Sequence, residues 1–320
     1  SMSPRPTLVC GTGYGRAYLR AVRALPDACV PVVILARGSE RSRAVDSREG
    51  LPLFRHLDQV PPEVDLACVA IPSTAHDLMP SLLERGIDVL SDHPVSAAAL
   101  VGCLEEAARQ GRTFHVNAHF GLLEAPSAFV EACRTMARET DPLFVDVLTT
   151  DRLLYAAFDV LTNALGPVTS LSALEQEVAE DPVRSLRAEV GGVPATLLVQ
   201  SSRRVDGGVL RDGSPAYMAD LRIAVRFPMG ALTLLSLAGP VVWTWSFSPS
   251  VGRGEELTPR TVYAGVSATA LARQRDAANR SALEALLAEA AGGPRPPEQD
   301  PEHLIAVSRA WDAVGAACAW

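Results

Sequence analysis

Over the first 120 residues, short apolar runs alternate with helical patterns. Thr7-Leu8-Val9-Cys10 is an apolar run stopped by Gly11. Between Arg16 and Leu25, the residues Tyr18, Leu19, Val22 and Leu25 fall on one helical face. Val32 to Ala36 is a second, β-branched run, and Leu66 to Ile71 a third, stopped by Pro72. Ser73 is placed to cap a helix running to about Arg85. Gly86 breaks it, and Asp88-Val89-Leu90 opens a fourth strand. Ser96 to Gln110 is helical, and Thr113 to Val116 is strand-like. Strands alternating with helices of this length predict a parallel, doubly wound sheet.

The pattern changes after about residue 122. Ala125 to Glu139 reads as a helix. Leu143–Thr149, Ala195–Ser201, Leu221–Phe227, Ala231–Leu237 and Val241–Phe247 alternate or are β-branched. Turn signals such as Asp206-Gly207-Gly208 and Pro228-Met229-Gly230 separate them. These runs predict a mostly antiparallel open sheet with one covered face. Helices return from Ser267 to Ala291 and from Pro301 to Ala317. The expected fold is α/β: an N-terminal Rossmann domain and a second, α+β domain on that open sheet. The expected boundaries are 1–122 and 123–300, with helix 301–317 packing back on the first domain. The second domain is expected to bind substrate and to pair the chain as a homodimer.

Composition narrows the function classes. With 320 residues and 48% hydrophobic positions, the chain has room for two cores. Its net charge of -8 and its lack of a basic stripe argue against nucleic acid as a partner. No apolar stretch is long and clean enough to predict a membrane span. Lysine is absent, so neither a Schiff base nor a lysine acid is available. The six cysteines (Cys10, Cys29, Cys68, Cys103, Cys133 and Cys318) form no C-x-x-C pair. They read as buried thiols in a reducing compartment. Ser1-Met2 reads as an expression scar before the native start, with no signal peptide, so a cytoplasmic location is expected.

Gly11-Thr12-Gly13-Tyr14-Gly15 lies between the first strand and the first helix, where a dinucleotide pyrophosphate meets a helix N-terminus. Gly11 suits a tight turn, and Gly13 lets backbone amides approach the phosphates. Gly15 departs from the usual G-x-G-x-x-G spacing. An NAD site ends its second strand with an acid for the ribose. Here the chain reads Ala36-Arg37-Gly38-Ser39-Glu40-Arg41-Ser42. Arg37, Ser39, Arg41 and Ser42 suit a 2′-phosphate, so NADPH is expected. Glu40 between two arginines leaves NADH as the alternative. Pro72-Ser73-Thr74-Ala75-His76 follows the third of these strands, where the nicotinamide half would lie. Pro72, Ser73 and His76 are therefore cofactor candidates, with a helix cap and a surface histidine as the plainer readings.

Ser91-Asp92-His93-Pro94 follows the strand at Asp88. In the Gfo/Idh/MocA oxidoreductases this place holds Glu-Lys-Pro, and here histidine stands for lysine. Together with the glycine turn, the Arg37–Ser42 loop and Ile71-Pro-Ser-Thr-Ala-His, the chain resembles the thiazolinyl imine reductase branch of that family. The resemblance is specific over residues 7–120. It implies NADPH-dependent reduction of a thiazoline to a thiazolidine during siderophore assembly. The substrate would ride on a carrier domain of a nonribosomal peptide synthetase. It implies cofactor contacts at Asp92 and Pro94 and a proton from His93 to the ring nitrogen. Imidazole suits that task because it titrates near the working pH; a loop histidine beside a structural proline is the plainer reading. The alternative function is a family dehydrogenase or reductase acting on a sugar, a diol or another imine.

The branch's second proton donor is a tyrosine after Val-Asn. The matching segment reads Val116-Asn117-Ala118-His119-Phe120, with Phe120 in the tyrosine place. His119 is then the substitute donor, Asn117 a polar contact near the nicotinamide, and Phe120 a surface for a substrate ring. Tyr155 and Asp159 share a helical face and offer a pocket wall; a buried Tyr–Asp hydrogen bond is the plainer reading. Trp243 and Trp245 read as a sheet-face, core or interface pair. His115 and His119 are four apart, but their segment starts as a strand and helical ligand spacing does not apply, so no metal is expected.

Overall fold

Each apolar run of the N-terminal third is a strand of one sheet in the computed structural model, which describes residues 3–36, 49–71, 77–174, 183–201, 220–246 and 258–318. The strands are β1 (Arg5–Cys10), β2 (Cys29–Leu35), β3 (Leu53–Phe54), β4 (Leu66–Val69), β5 (Asp88–Asp92) and β6 (Phe114–Asn117). Helices α1 (Gly15–Arg23), α2 (Leu78–Glu84) and α3 (Ala97–Gln110) alternate with them. The order is β3-β2-β1-β4-β5-β6, and every neighbouring pair is parallel. Both faces are covered, so β4 is buried at all its positions and reads as a continuous apolar run. The strand order reverses between β1 and β4, the crevice where doubly wound sheets bind ligands.

The opposite ends of these strands are tied by charge. Arg5 Nε lies 3.0 Å from Asp65 Oδ1, and its Nη2 lies 2.7 Å from Asp88 Oδ2. Asp88 Oδ1 accepts a hydrogen bond from the Thr113 backbone at 2.7 Å. One arginine and one carboxylate thus fix the starts of β1, β5 and β6.

The second half follows in chain order as α4 (Glu124–Glu139), β7 (Phe144–Thr150), α5 (Leu154–Ala164), β8 (Val168–Ala173), β9 (Val183–Val190), β10 (Val193–Gln200), β11 (Leu221–Phe227), β12 (Gly230–Leu234), β13 (Val241–Trp245) and β14 (Arg260–Tyr263). These eight strands form a sheet in the order β14-β13-β12-β11-β7-β10-β9-β8, antiparallel except for β7 with β10. Ala195, Leu197 and Val199 point to the buried face with Ile223 and Val225, at the period of two expected of one covered face. Helix α5 is buried almost all round, which suits its run of apolar residues. Strands β8, β9 and β14 go unmarked in the sequence reading. The β9 signal was Gly191-Gly192, a two-residue hairpin turn with φ of 56° and 82°.

Two helices end the chain, α6 (Ala268–Ala290) and α7 (Pro301–Cys318). By contacts the chain forms two compact units, Ser1–His119 with Arg273–Ile305, and Phe120–Ala272 with Ala306–Trp320. This corrects the expected boundaries in both directions. Most of α6 belongs to the first unit, because Ala282, Leu283 and Leu286 complete a core with Tyr18, Leu19, Val22 and Ile34. Most of α7 belongs to the second unit, where the buried Ser308 meets Tyr155. The returning segment also closes the edge of the first sheet. The Gln299 side chain accepts from Val116 N at 2.9 Å and donates to Val116 O at 2.8 Å, as a neighbouring strand would. Glu289 pairs with the buried His115 at 2.7 Å. Among the described residues, no helix is long and apolar enough to cross a membrane.

Candidate active site

The glycine turn sits between β1 and α1, as the sequence predicts. Gly11 has φ 100°, and a Cβ there would lie 2.4 Å from the Ala70 carbonyl oxygen, so closeness to the end of β4 demands glycine. Gly13 has no neighbour within 4 Å of its Cβ position, which leaves its backbone open to a ligand. Gly15 begins α1, and a Cβ there would only touch Val9 Cγ1 at 3.4 Å. Thr12 is nearly buried and Tyr14 half-buried. An open Gly13 at the start of a nine-residue helix fits a dinucleotide pyrophosphate. The Arg37, Ser39, Arg41 and Ser42 loop and the Pro72, Ser73 and His76 segment lie outside the described residues. Helix α2 begins after them, at Leu78.

Parallel register brings the other motifs together. Asp92 at the end of β5 pairs with Asn117 at the end of β6. His93 follows Asp92 and His119 follows Asn117 by two residues, so their rings stand 5.2 Å apart. His93 Nδ1 lies 2.8 Å from the Asn117 carbonyl oxygen. A carbonyl can only accept, so this nitrogen carries hydrogen. The exposed Pro94 is joined to His93 by a cis peptide bond.

Four residues left unassigned or assigned otherwise by the sequence complete the cluster. Tyr18 donates to Asp92 Oδ1 at 3.0 Å, and Asn117 Nδ2 donates to the Tyr18 hydroxyl at 2.9 Å. Asn117 Nδ2 also meets Asn279 Oδ1 at 2.8 Å, and Asn279 Nδ2 donates to the Tyr14 hydroxyl at 3.1 Å. The Tyr14 hydroxyl lies 2.8 Å from His119 Nε2, with the two rings stacked. The Arg275 guanidinium sits 5.8 Å from the centre of the Tyr14 ring. Tyr18, Arg275 and Asn279 went unseen as site residues. Tyr18 reads as a core position, and Asn279 lies 162 residues beyond Asn117 and 265 beyond Tyr14. Only the helical phase that puts Arg275 and Asn279 four apart on one face hinted at them.

Burial sets the charges. It pushes the Asp92 carboxyl up from 3.8 to about 6, against the pull of His93, the Tyr18 hydroxyl and Arg275. His119 is held well below its ordinary value, first by burial and then by the nearby His93 and Arg275 charges. Burial also raises the Tyr14 and Tyr18 phenols, so both are neutral donors. His119 is therefore a neutral imidazole, which argues against the expected role as a second acid. Asp92, His93 and His119 place ligand-type atoms within 4.8 Å of one another, a proximity invisible in their spacing along the chain. Hydrogen bonds to the Asn117 carbonyl and to Tyr14 already commit one nitrogen of each histidine. Asn117 Oδ1 is buried without a hydrogen-bond partner among the described residues, so a ligand donor would satisfy it.

The remaining predicted residues belong to the second unit. Phe120 is its first residue and is partly exposed. Tyr155 and Asp159 are buried, and the Tyr155 hydroxyl pairs with Ser308 Oγ at 3.1 Å. Asp159 Oδ1 accepts from Asn163 at 3.4 Å. Trp243 is buried in the sheet core beside Phe227, and Trp245 meets it edge-on.

A glycine turn at the switch point of a parallel sheet, with a histidine and a carboxylate at the adjacent strand ends, defines a dinucleotide-dependent oxidoreductase. Comparisons agree. Residues 6–118 match the oxidoreductase family with the NAD-binding Rossmann fold, Gfo/Idh/MocA. Residues 140–244 match the C-terminal domain described as thiazolinyl imine reductase Irp3-like. The chain is thus similar to the Gfo/Idh/MocA oxidoreductases over its N-terminal third and to the Irp3-like C-terminal domain over a later stretch. No functionally curated protein matches in sequence. Among solved structures, biliverdin reductase from Synechocystis sp. PCC 6803, bound to biliverdin and NADP+, superposes with a TM-score of 0.75 at 14% identity, covering 99% of this chain and 100% of that one. GenD2 from gentamicin A biosynthesis, bound to NAD, gives 0.73 at 15% identity, covering 99% and 95%. Levoglucosan dehydrogenase with NADH and L-sorbose gives 0.72 at 13% identity, covering 99% and 97%. At such identities these likenesses establish the fold.

Proposed function

We propose that this protein is an NADPH-dependent thiazolinyl imine reductase. Its substrate is a thiazoline tethered to a carrier domain of a nonribosomal peptide synthetase, and the product is a thiazolidine. The observation that carries the proposal is His93, held by its Nδ1 on the Asn117 carbonyl beside Asp92, at the strand ends next to the glycine turn. The Irp3-like C-terminal match supports this substrate class over a sugar or a diol.

The coenzyme, when bound, supplies a hydride to the carbon of the C=N bond. The Gly11–Gly15 turn would hold its pyrophosphate, and Arg37, Ser39, Arg41 and Ser42 its 2′-phosphate. With Nδ1 committed to Asn117, His93 gives its proton from Nε2 to the ring nitrogen as the C=N bond is reduced. Nitrogen thereby gains the N–H and carbon the C–H of the product. Reduction needs one proton, so one acid suffices. Asp92, with Oδ1 3.7 Å from His93 Nδ1, lies beside the imidazole that gives the proton. The chain acts as a homodimer in this proposal, with the open sheet as the pairing surface.

The test is turnover of a thiazoline thioester with NADPH, followed by loss of coenzyme absorbance. His93→Ala should lower kcat by about 10²–10⁴-fold with NADPH affinity kept. Turnover of a sugar or polyol, with none of any thiazoline, would overturn the proposal. Arg37→Ala should weaken NADPH binding far more than NADH binding in titrations. Equal losses would place the 2′-phosphate elsewhere.

A further inference from the structure

The hydrogen bonds around His119 form a ring whose direction can be deduced. An ionised carboxylate only accepts, so the hydrogen between Tyr18 and Asp92 belongs to Tyr18. That hydroxyl has no second hydrogen, so Asn117 must face it with the amide nitrogen. The same nitrogen reaches Asn279, which therefore presents its oxygen to Asn117 and its nitrogen to Tyr14. The Tyr14 hydroxyl receives that bond and keeps its own hydrogen to give, and His119 Nε2 lies 2.8 Å away to take it. Arg275 cannot accept a hydrogen bond, so it cannot reverse this direction. The circuit is completed by proximity and not by a hydrogen bond: His119 Nδ1 faces Asp92 Oδ1 at 4.0 Å.

We infer that Asn279, acting through Tyr14, is a positioning residue that holds His119 as the Nδ1–H tautomer directed at Asp92, leaving His93 as the acid of this histidine pair. The inference deepens the proposed function and rests on it for the role of His93. The tautomer itself does not depend on the substrate. Every member of the ring belongs to the first compact unit, and Tyr18, Asn117, His119 and Asn279 are each at most 1% exposed. Burial at that level keeps water from supplying alternative partners to those four, while Tyr14 and Asp92 are partly exposed. Asn279 thus connects a helix near the end of the chain to the glycine turn, since its partner Tyr14 lies inside that turn.

The deciding experiment uses the full-length protein with 15N-labelled histidine at pH 8. NMR resonances are assigned to His119 by comparison with His119→Gln. The wild type should show Nε2 unprotonated and Nδ1 protonated. A protonated Nε2, in either the other tautomer or the cation, would overturn the inference. Asn279→Asp keeps the shape but presents only acceptors, so Tyr14 should turn its hydrogen to the carboxylate. His119 must then donate from Nε2, and its tautomer should invert. An unchanged His119 spectrum in that variant would also overturn the inference. Should Asn279→Asp not fold, Tyr14→Phe serves instead. It should shift the Nε2 resonance by removing its donor, and no shift would be fatal. In the assay, Asn279→Asp should lower kcat about tenfold and leave KM for the coenzyme within twofold. Wild-type protein with the expected tautomer but no thiazoline turnover would refute the proposed substrate alone.

Discussion

At the scale of the residue, Asp92 shows how a functional group costs stability. Its carboxyl is raised from 3.8 to about 6 by burial. A carboxyl raised by folding favours the folded state below its unfolded value, and that contribution is lost as pH rises through the folded value. At neutral pH the buried charge therefore destabilises the fold by roughly 3 kcal/mol. Asp92→Asn keeps the acceptor for Tyr18 and should be more stable than wild type above pH 6. The gap should close by pH 4, and urea unfolding across that range measures it. An unchanged gap at low pH would assign the effect to packing. The buried histidines act oppositely. His115 and His119 are both lowered, so their stabilising share is present above pH 6.5 and fades as pH falls. The two glycines of the turn also separate. Gly11→Ala must push against the Ala70 carbonyl at positive φ and should lower stability by about 1–3 kcal/mol. Gly13→Ala meets nothing within 4 Å, so it should unfold like wild type yet bind coenzyme more weakly. Melting curves and coenzyme titration on both variants decide this.

At the scale of the element, the strand ends do the assembling. Parallel register sets Asp92 beside Asn117, and the residues that follow each strand become neighbours. Helix α6 then seats Arg275 and Asn279 against Tyr14. Its hold comes from Leu283 and Leu286, both fully buried in the first core. Leu283→Ala should cost about 2–5 kcal/mol and loosen coenzyme binding with it. A variant that loses stability without any loss of coenzyme affinity would show that α6 does not support the turn. The glycine turn, the parallel strands and the His93 motif were legible because each is a local pattern with a local cause. Strand β9 was legible through Gly191-Gly192 and passed over. Arg275 and Asn279 were not, because nothing in their neighbourhood along the chain tells which helix face meets which strand.

At the scale of the whole molecule, two cores are built from a chain that crosses between them more than once. Residues 273–305 join the first unit and residues 306–320 the second, although α7 is one helix. A boundary near residue 122 is visible as a change of pattern from helix-and-strand to strand-and-turn. The later crossings leave no such mark, since α6 and α7 read as ordinary helices wherever they pack. A fragment ending at residue 122 should therefore fail to bind the dinucleotide, because it lacks the core side chains of α6 and the Gln299 amide that closes β6. Binding by that fragment with native affinity would contradict this account of the first unit.

Hydrophobic period, turn residues and the glycine spacing are properties of short windows, so the sequence by itself determined both fold classes, the coenzyme turn and the histidine in the lysine place. Tertiary structure alone decided which buried groups face one another. It brought Tyr14, Tyr18, Asp92, Asn117, His119 and Asn279 into one ring and made His119 a neutral partner in it. The physical reason is that hydrogen-bond direction and charge depend on burial and on neighbours distant in the chain, and no local pattern records either.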